Sequence, residues 1–292
     1  MELRLAKTAG FCFGVDRAVN LVYELVGDGK KVCTLGPIIH NAQLVSDLES
    51  RGVKIIDTPA ECPEGYMIVV RTHGVEKSVI DDIESRGIEY VNATCPFVTK
   101  IHNIVKKQDA DTVVLIAGDE DHPEVKGIRS YCRGKSFVFK NESELADILQ
   151  NPEFVNAKKI ICVAQTTFSL KEWQKSIILL KRVCTKGEIF DTICNATSDR
   201  QSEAEELSRV SDAMLVIGGR HSSNTRKLQE VSSANCPSFL IETADELSSL
   251  DLKDFHVIGV TAGASTPSVI IKEVLKTMSE EIKEKEVETA SA

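Results

Sequence analysis

The sequence lacks the short motifs that mark several common classes of protein. None of its nine cysteines forms a C-x-x-C pair, so a zinc ribbon, a thioredoxin-type site and ferredoxin-type ligation are disfavoured. Neither G-x-x-x-x-G-K-[ST] nor G-x-G-x-x-G occurs, which argues against P-loop and dinucleotide-binding sites. The longest apolar runs, such as "TVVLIAG", are far too short to span a bilayer.

Positive charge is also scarce. The net charge of −9 at pH 7 argues against nucleic acid and against an anionic membrane as partners. The N-terminal stretch "MELRLAKTAGFCFG" has no apolar signal-peptide region, so we expect a cytoplasmic protein. In such a protein an odd number of cysteines argues against a disulfide framework.

A weak internal repeat organises the chain. Segments 111–132 and 212–236 resemble each other, and 30–52 is a third, weaker copy. Each copy contains an apolar strand, a glycine turn and a polar helix-like stretch, and a further strand follows each copy. Strands that alternate with helices favour parallel sheets, so the repeat predicts an α/β fold of three units.

The spacing of cysteines and histidines gives the boundaries of these units. The intervals are 28 residues from Cys12 to His40, and 27 residues both from Cys95 to His122 and from Cys194 to His221. We predict units over 12–94, 95–193 and 194–278. Residues 1–11 add a strand to the last unit, and residues 279–292 form a frayed helix end and a charged tail.

Single cysteines at strand ends, just before helices, suggest a metal centre. Ligands of parallel α/β sheets bind beyond the carboxyl ends of the strands, and helix N-termini favour thiolates. If the units pack around a pseudo-threefold axis, Cys12, Cys95 and Cys194 converge. A cubane iron–sulfur cluster with one open iron suits three thiolates from three units better than zinc with a water. The other cysteines are expected to be structural, and they are Cys33, Cys62, Cys132, Cys162, Cys184 and Cys236.

Polar residues at the same strand ends predict an anion site that fits a diphosphate. The donors are His40, His73, His122, Ser222, Asn224 and Ser265. Two residues have alternative interpretations at this point. Glu124 can be a proton donor or an ordinary first-turn glutamate, and Thr166 can orient a substrate hydroxyl or cap the next helix.

Nine motifs together resemble the 4-hydroxy-3-methylbut-2-enyl diphosphate reductases, the IspH/LytB family. They extend from residue 9 to residue 267 in the family's order, and they are "AGFCFGV", "LGPIIHN", "RTHGV", "NATCPFV", "GDEDHPEVKG", "AQTTFS", "TICNATSDRQ", "GGRHSSNT" and "GASTP". The resemblance implies a trefoil of three pseudo-symmetric α/β units, with mainly parallel sheets, around a [4Fe–4S] cluster held by Cys12, Cys95 and Cys194. It also implies reductive removal of the substrate's C4 hydroxyl, which gives isopentenyl and dimethylallyl diphosphates in the last step of the methylerythritol phosphate pathway.

The resemblance further implies roles for individual residues. Thr166 would hold the hydroxyl and Glu124 would relay protons to it, with His122 among the catalytic residues and Asn224 in the same proton network. Electrons would come from a flavodoxin or a ferredoxin. The implied diphosphate ligands are His40, His73, His122, Ser222, Ser223, Asn224 and Ser265.

Three other classes of protein are alternatives. A cluster lyase of quinolinate-synthase type also has three units with one cysteine each. A non-enzymatic iron–sulfur or zinc sensor would need a partner-binding surface such as a basic recognition helix, which the sequence does not suggest. A zinc hydrolase predicts one bound zinc and no visible absorbance.

Overall fold

The computed structural model describes residues 1–39, 41–184 and 187–290, and it describes side chains up to residue 280. The chain divides into two compact units. The first comprises residues 1–13, 40–44 and 195–292, and the second comprises residues 14–39 and 45–194. The boundaries of the three units expected from the sequence stay a prediction.

The described strands form three parallel sheets of four strands each. In chain order the strands are β1 (Glu2–Leu5), β2 (Val32–Leu35), β3 (Lys54–Ile56), β4 (Met67–Val70), β5 (Tyr90–Asn92), β6 (Thr112–Ala117), β7 (Ser136–Phe139), β8 (Lys159–Ala164), β9 (Gly187–Ile189), β10 (Ala213–Ile217), β11 (Ser238–Ile241) and β12 (Val257–Ala262). The first sheet has the order β3-β2-β4-β5, the second β7-β6-β8-β9 and the third β11-β10-β12-β1. The predicted α/β class with parallel sheets is therefore confirmed.

The three sheets share one strand order, and the N-terminal strand completes the third. In the third sheet β1 pairs in parallel with β12, as β5 pairs with β4 and β9 with β8 in the other two. The two inner strands of each sheet are almost wholly buried. Their composition, rich in Val, Ile and Leu, is typical of parallel strands that are covered on both faces.

Helices connect the strands. In chain order they are α1 (Phe13–Gly27), α2 (Ala42–Ser50), α3 (Lys77–Ser85), α4 (Pro96–Lys106), α5 (Pro123–Ser130), α6 (Glu142–Ile148), α7 (Pro152–Val155), α8 (Leu170–Val183), α9 (Asn195–Ser208), α10 (Ser223–Ser233) and α11 (Ser268–Ala290), with short 3₁₀ turns at Pro59–Glu61 and Ala244–Ser249. α11 continues to Ala290, so most of the segment predicted as a frayed end and tail is helical, as its many Glu and Lys residues favour. Among the described helices, none has the length and apolar character needed to cross a membrane.

Apolar layers on both faces hold the inner strands in place. Along β6, Leu115 faces a core with Phe139 and Trp173, while Ile116 faces another with Ile101. This alternation is the two-residue period of a strand. In the third sheet, the side chains of β10 and β12 pack with residues of α11. Rigid inner strands fix where each strand ends, and therefore where the polar loops begin.

Candidate active site

A glycine directly follows the inner strands β2, β6 and β10. Each glycine amide donates a hydrogen bond to the last residue of the neighbouring edge strand, and the three bonds are Gly36 N–Ile56 O (2.8 Å), Gly118 N–Phe139 O (2.9 Å) and Gly218 N–Ile241 O (2.8 Å). Gly36 and Gly218 have positive φ angles of 67° and 146°, which side chains rarely allow. The three loops therefore leave their strands through the same backbone contact.

The three candidate cysteines share a second contact of this kind. Each lies directly before a helix, at the starts of α1, α4 and α9. Each amide donates to the carbonyl of the second residue after an inner strand, and the three bonds are Cys12 N–Ala264 O (3.1 Å), Cys95 N–Thr72 O (2.9 Å) and Cys194 N–Thr166 O (3.1 Å). All three side chains are half-buried. This repeated bond places each sulfur at a helix N-terminus, where a thiolate is favoured.

Side chains cap the helices that follow the glycine loops. His122 caps α5, since its Nδ1 accepts a hydrogen bond from the Glu124 amide (3.1 Å). Ser222 caps α10 by accepting from the Thr225 amide (3.4 Å). Because Nδ1 of His122 accepts this bond, that ring nitrogen carries no proton in this arrangement.

The cap positions revise the spacing found in the sequence. His122 and Ser222 are each the fifth residue after their strand, whereas His221 is exposed and lies one residue earlier. The residue equivalent to His122 is therefore Ser222 and not His221. The third histidine of the spacing pattern, His40, lies outside the described residues.

Glu124 is the strongest acid–base candidate. Its side chain is 1% exposed, and its carboxylate accepts two hydrogen bonds from Thr166, from the amide to Oε1 (2.7 Å) and from Oγ1 to Oε2 (2.8 Å). Burial raises the pKa of Glu124 to about 7, although the hydrogen bonds from Thr166 act in the opposite direction. A carboxyl group with a pKa near neutrality can both give and take a proton at physiological pH.

His73 completes this group. It follows β4 by three residues, and its ring lies 5.4 Å from the His122 ring in an edge-to-face arrangement. The structure therefore brings His73, His122, Glu124 and Thr166 together within one compact unit. Sequence reasoning alone left the roles of Glu124 and Thr166 open, and the pair of hydrogen bonds between them is what distinguishes Glu124 from an ordinary first-turn glutamate.

The other compact unit contains the serine and asparagine candidates. Ser222 and Ser223 lie at the start of α10, followed by Asn224. Asn224 is 4% exposed and Ser265 is 8% exposed, yet Oδ1 and Nδ2 of Asn224 and Oγ of Ser265 have no hydrogen-bond partner among the described residues. Buried polar atoms without a partner are costly to stability. Their retention here is expected if a ligand supplies the partner.

Gly14 packs against a candidate metal ligand, although the sequence pattern did not single it out. A Cβ atom at Gly14 would lie 2.6 Å from Sγ of Cys95, far inside normal contact distance. Only glycine therefore leaves room for this thiol. The motif "FCFGV" contains the signal, but nothing in the sequence shows that a residue near Cys12 packs against Cys95.

The chemistry of the thiols fits an iron–sulfur cluster. Burial raises the pKa of Cys33 to about 12 and that of Cys132 to about 11, which disfavours the thiolate form that ligation requires. Cys12, Cys95 and Cys194 instead combine partial exposure with a helix N-terminus. Cys12 belongs to one compact unit and the other two belong to the second, and within the described residues no group of three or more His, Cys, Asp or Glu side chains is placed to hold a metal ion.

Comparison with known proteins gives consistent matches along the chain. The model of the LytB protein family matches residues 3–279. The 4-hydroxy-3-methylbut-2-enyl diphosphate reductase of Thermoanaerobacter sp. (strain X514) is 42% identical over 282 residues, which cover 94% of this chain and 96% of the relative. The protein of the same name from Geobacter metallireducens is 43% identical, with coverage of 96% and 98%.

Solved structures agree with these sequence matches. The E-1-hydroxy-2-methyl-but-2-enyl-4-diphosphate reductase from Plasmodium falciparum matches with a TM-score of 0.86 and 28% identity, over 95% of this chain and 87% of that chain. An (E)-4-hydroxy-3-methyl-but-2-enyl diphosphate reductase, described as the terminal enzyme of the non-mevalonate pathway, matches with a TM-score of 0.67 and 35% identity, over 96% and 100% of the two chains.

Proposed function

Since the chain belongs to the LytB protein family, we propose that it reductively removes the C4 hydroxyl of 4-hydroxy-3-methylbut-2-enyl diphosphate. The products are isopentenyl and dimethylallyl diphosphates, and the reaction ends the methylerythritol phosphate route to isoprenoids. Two electrons and two protons enter for each substrate. One proton leaves with the hydroxyl as water and the other is added to the allylic carbon skeleton.

The observation that carries the proposal is the buried pair formed by Glu124 and Thr166. In this proposal Thr166 Oγ1 contacts the substrate hydroxyl while it keeps Glu124 oriented. The raised pKa of Glu124, about 7, allows this residue to hold a proton until the hydroxyl leaves as water. His122 lies beside the pair, because its Nδ1 accepts from the Glu124 amide, and in this proposal it contacts the substrate.

The remaining polar candidates bind the diphosphate. The N-terminus of α10 offers backbone amides to an anion, and the buried Asn224 and Ser265 add side chains that lack an internal partner. Asn224 also belongs with the proton network, because it can orient a water or an oxygen of the substrate. The proposed ligands are His40, His73, His122, Ser222, Ser223, Asn224 and Ser265.

We assign Cys12, Cys95 and Cys194 as ligands of a [4Fe–4S] cluster, in agreement with the iron–sulfur dependence of this family. When bound, the cluster supplies single electrons and one iron without a protein ligand that acts as a Lewis acid. A flavodoxin or a ferredoxin delivers the electrons. The quinolinate-synthase-type alternative gains no support from the relatives described above.

Composition and turnover test the proposal directly. We expect anaerobically purified protein to be brown, to contain about four iron and four sulfide per chain, and to reduce the diphosphate substrate with dithionite and methyl viologen. Quinolinate-synthase substrates should not be consumed. A colourless protein with one zinc, after an attempt at reconstitution, would contradict both the cluster and the reductase assignment.

The packing of Gly14 against Cys95 allows a separate test of ligation. The substitution Gly14→Ala introduces a methyl group 2.6 Å from the sulfur, so we expect most of the iron and the visible absorbance to be lost. Gly27→Ala, at the other end of the same helix, meets nothing within 4 Å and should retain both. Equal iron contents in the two variants would argue against Cys95 as a ligand.

A further inference from the structure

A surface groove of about 610 Å³ lies beside α4, the helix that begins just after Cys95. Its lining includes three cations, Arg17, Lys100 and Lys107, and no carboxylate. The whole chain carries a net charge of −9, so a groove whose charged side chains are all positive departs from the average surface. An arrangement of this kind attracts acidic partners and speeds their association.

The groove follows one face of α4. Lys100, Asn103 and Lys107 repeat at helical spacing and are exposed, whereas Val98, Ile101 and other residues of the opposite face are buried in the core. The two lysines form no ion pair with a described carboxylate. Some exposed cations at other helices of the same unit are paired with a carboxylate one turn away, and these pairs are Arg51–Asp47, Lys77–Asp81 and Arg86–Asp82.

Arg17 fixes a third charge in the groove. Its Nη1 donates hydrogen bonds to the carbonyl oxygens of Ala93 (3.5 Å) and Thr94 (3.2 Å). These residues lead directly to Cys95, and the groove lining includes Thr94 and Pro96, the two neighbours of Cys95 in the chain. A partner that occupies the groove therefore lies against the two residues that flank Cys95, a proposed cluster ligand.

We propose that this groove, defined by Arg17, Thr94, Pro96, Lys100 and Lys107, is the docking surface for an acidic electron-carrier protein. The inference rests on the proposed function, since it needs a cluster at Cys95. Contacts between electron carriers bury little surface and depend on charge steering. Each carrier gives up one electron at the groove, so two carriers are oxidised for each substrate reduced, and the two protons come from solvent through the active site.

The charge-reversed double variant K100E/K107E tests the docking surface. With reduced flavodoxin as donor at low ionic strength, we expect KM for flavodoxin to rise about tenfold or more, with little change in kcat at saturation. The wild-type KM should rise with salt, whereas that of the variant should depend on it much less. Turnover with dithionite and methyl viologen should be unchanged, because this small cation needs no basic groove.

A matched control has the same change in net charge at another helix of the same unit. Lys171 and Lys181 are exposed on α8, and K171E/K181E should keep the wild-type KM for flavodoxin. Binding of oxidised flavodoxin, measured by calorimetry, gives a readout that does not depend on turnover. It should weaken only in the α4 variant.

The outcomes separate this inference from the proposed function. If the α4 variant binds flavodoxin as tightly as the wild type does, or if both double variants lose affinity equally, the docking surface is wrong. If the wild type fails to reduce the substrate even with methyl viologen, the proposed function is wrong. The calorimetric comparison of the two variants still decides whether α4 binds the carrier.

Discussion

The strand ends of the second and third sheets repeat the same backbone contacts but differ in two side chains. In both, a glycine amide bonds to the edge strand, and a cysteine amide bonds to the second residue after an inner strand. Glu124 is the second residue after the cap in the second sheet, where the third sheet has Asn224. The cysteine's acceptor is Thr166 in the second sheet and Ala264 in the third.

These two differences change which buried polar groups have a hydrogen-bond partner inside the protein. Thr166 donates twice to Glu124, so the carboxylate is oriented and its hydrogen bonds are partly satisfied inside the protein. Ala264 has no side-chain donor, and the amide of Asn224 is left buried without a partner. Under the proposed function, the second sheet's copy of the repeat handles a proton and the third sheet's copy supplies hydrogen bonds to the substrate.

Glu124→Gln replaces the carboxylate by an amide, the group that Asn224 has at the equivalent position in the third sheet. This variant should have the largest effect, and the effect should be on turnover. The amide keeps the shape and a hydrogen bond to Thr166 but cannot transfer a proton, so kcat should fall by about 10²–10⁴-fold. Iron content and the affinity for inorganic diphosphate should stay close to those of the wild type. Steady-state turnover with methyl viologen, iron analysis and calorimetry measure the three quantities.

The control for this variant is Glu120→Gln, in the same loop. Glu120 is exposed and pairs with Arg129, and surface pairs of this kind contribute little. The kcat of Glu120→Gln should match that of the wild type. Full turnover in Glu124→Gln would remove the carboxylate from the proton pathway and leave the hydrogen bonds to Thr166 with a structural role only.

Asn224→Leu tests the buried amide in the third sheet that has no partner, and it should have opposite effects on diphosphate binding and on stability. The substitution removes two buried polar atoms that have no partner, so the free energy of unfolding should rise, by about 1 kcal/mol. Affinity for inorganic diphosphate should fall about 10- to 100-fold, because bonds to charged groups contribute roughly 1.5–3 kcal/mol. Urea unfolding and calorimetry measure the two changes.

Asn235→Leu provides the matched control just after the same helix. Asn235 is exposed and its Nδ2 donates to Ser208 Oγ (2.9 Å), so its replacement should cost a little stability and leave diphosphate binding unchanged. A destabilised Asn224→Leu variant that binds diphosphate normally would mean that Asn224 serves the fold and not the ligand.

The sequence predicted the repeat and the position of its polar residues, but not which of them form pairs. Apolar strands and single cysteines before helices are local patterns, so the three parallel sheets and the helix that follows each of Cys12, Cys95 and Cys194 could be expected. The bond between Glu124 and Thr166 joins residues 42 positions apart, and it depends on how β6 and β8 pair. The same limit explains the error at His221. The Cys-to-His spacing indicated His221, but in the structure the next residue, Ser222, caps the helix.

The comparison also predicts a difference in how the free energy of unfolding depends on pH. Burial raises the pKa of Glu124 from 4.5 to about 7 in the folded state, so the folded protein binds more protons than the unfolded chain between these values. The contribution of Glu124 therefore favours folding at low pH and is lost as pH rises through about 7. Asn224, at the equivalent position in the third sheet, does not titrate and adds no such dependence.

Subtracting two unfolding curves isolates this contribution from other titrating groups. The free energy of unfolding of Glu124→Gln minus that of the wild type should increase by roughly 2–3 kcal/mol between about pH 5 and pH 8. Urea unfolding of both anaerobic proteins at several pH values measures it. If the difference is constant across this range, the Glu124 carboxyl has an ordinary pKa, and the proton that leaves with the substrate's hydroxyl must then be held by another group.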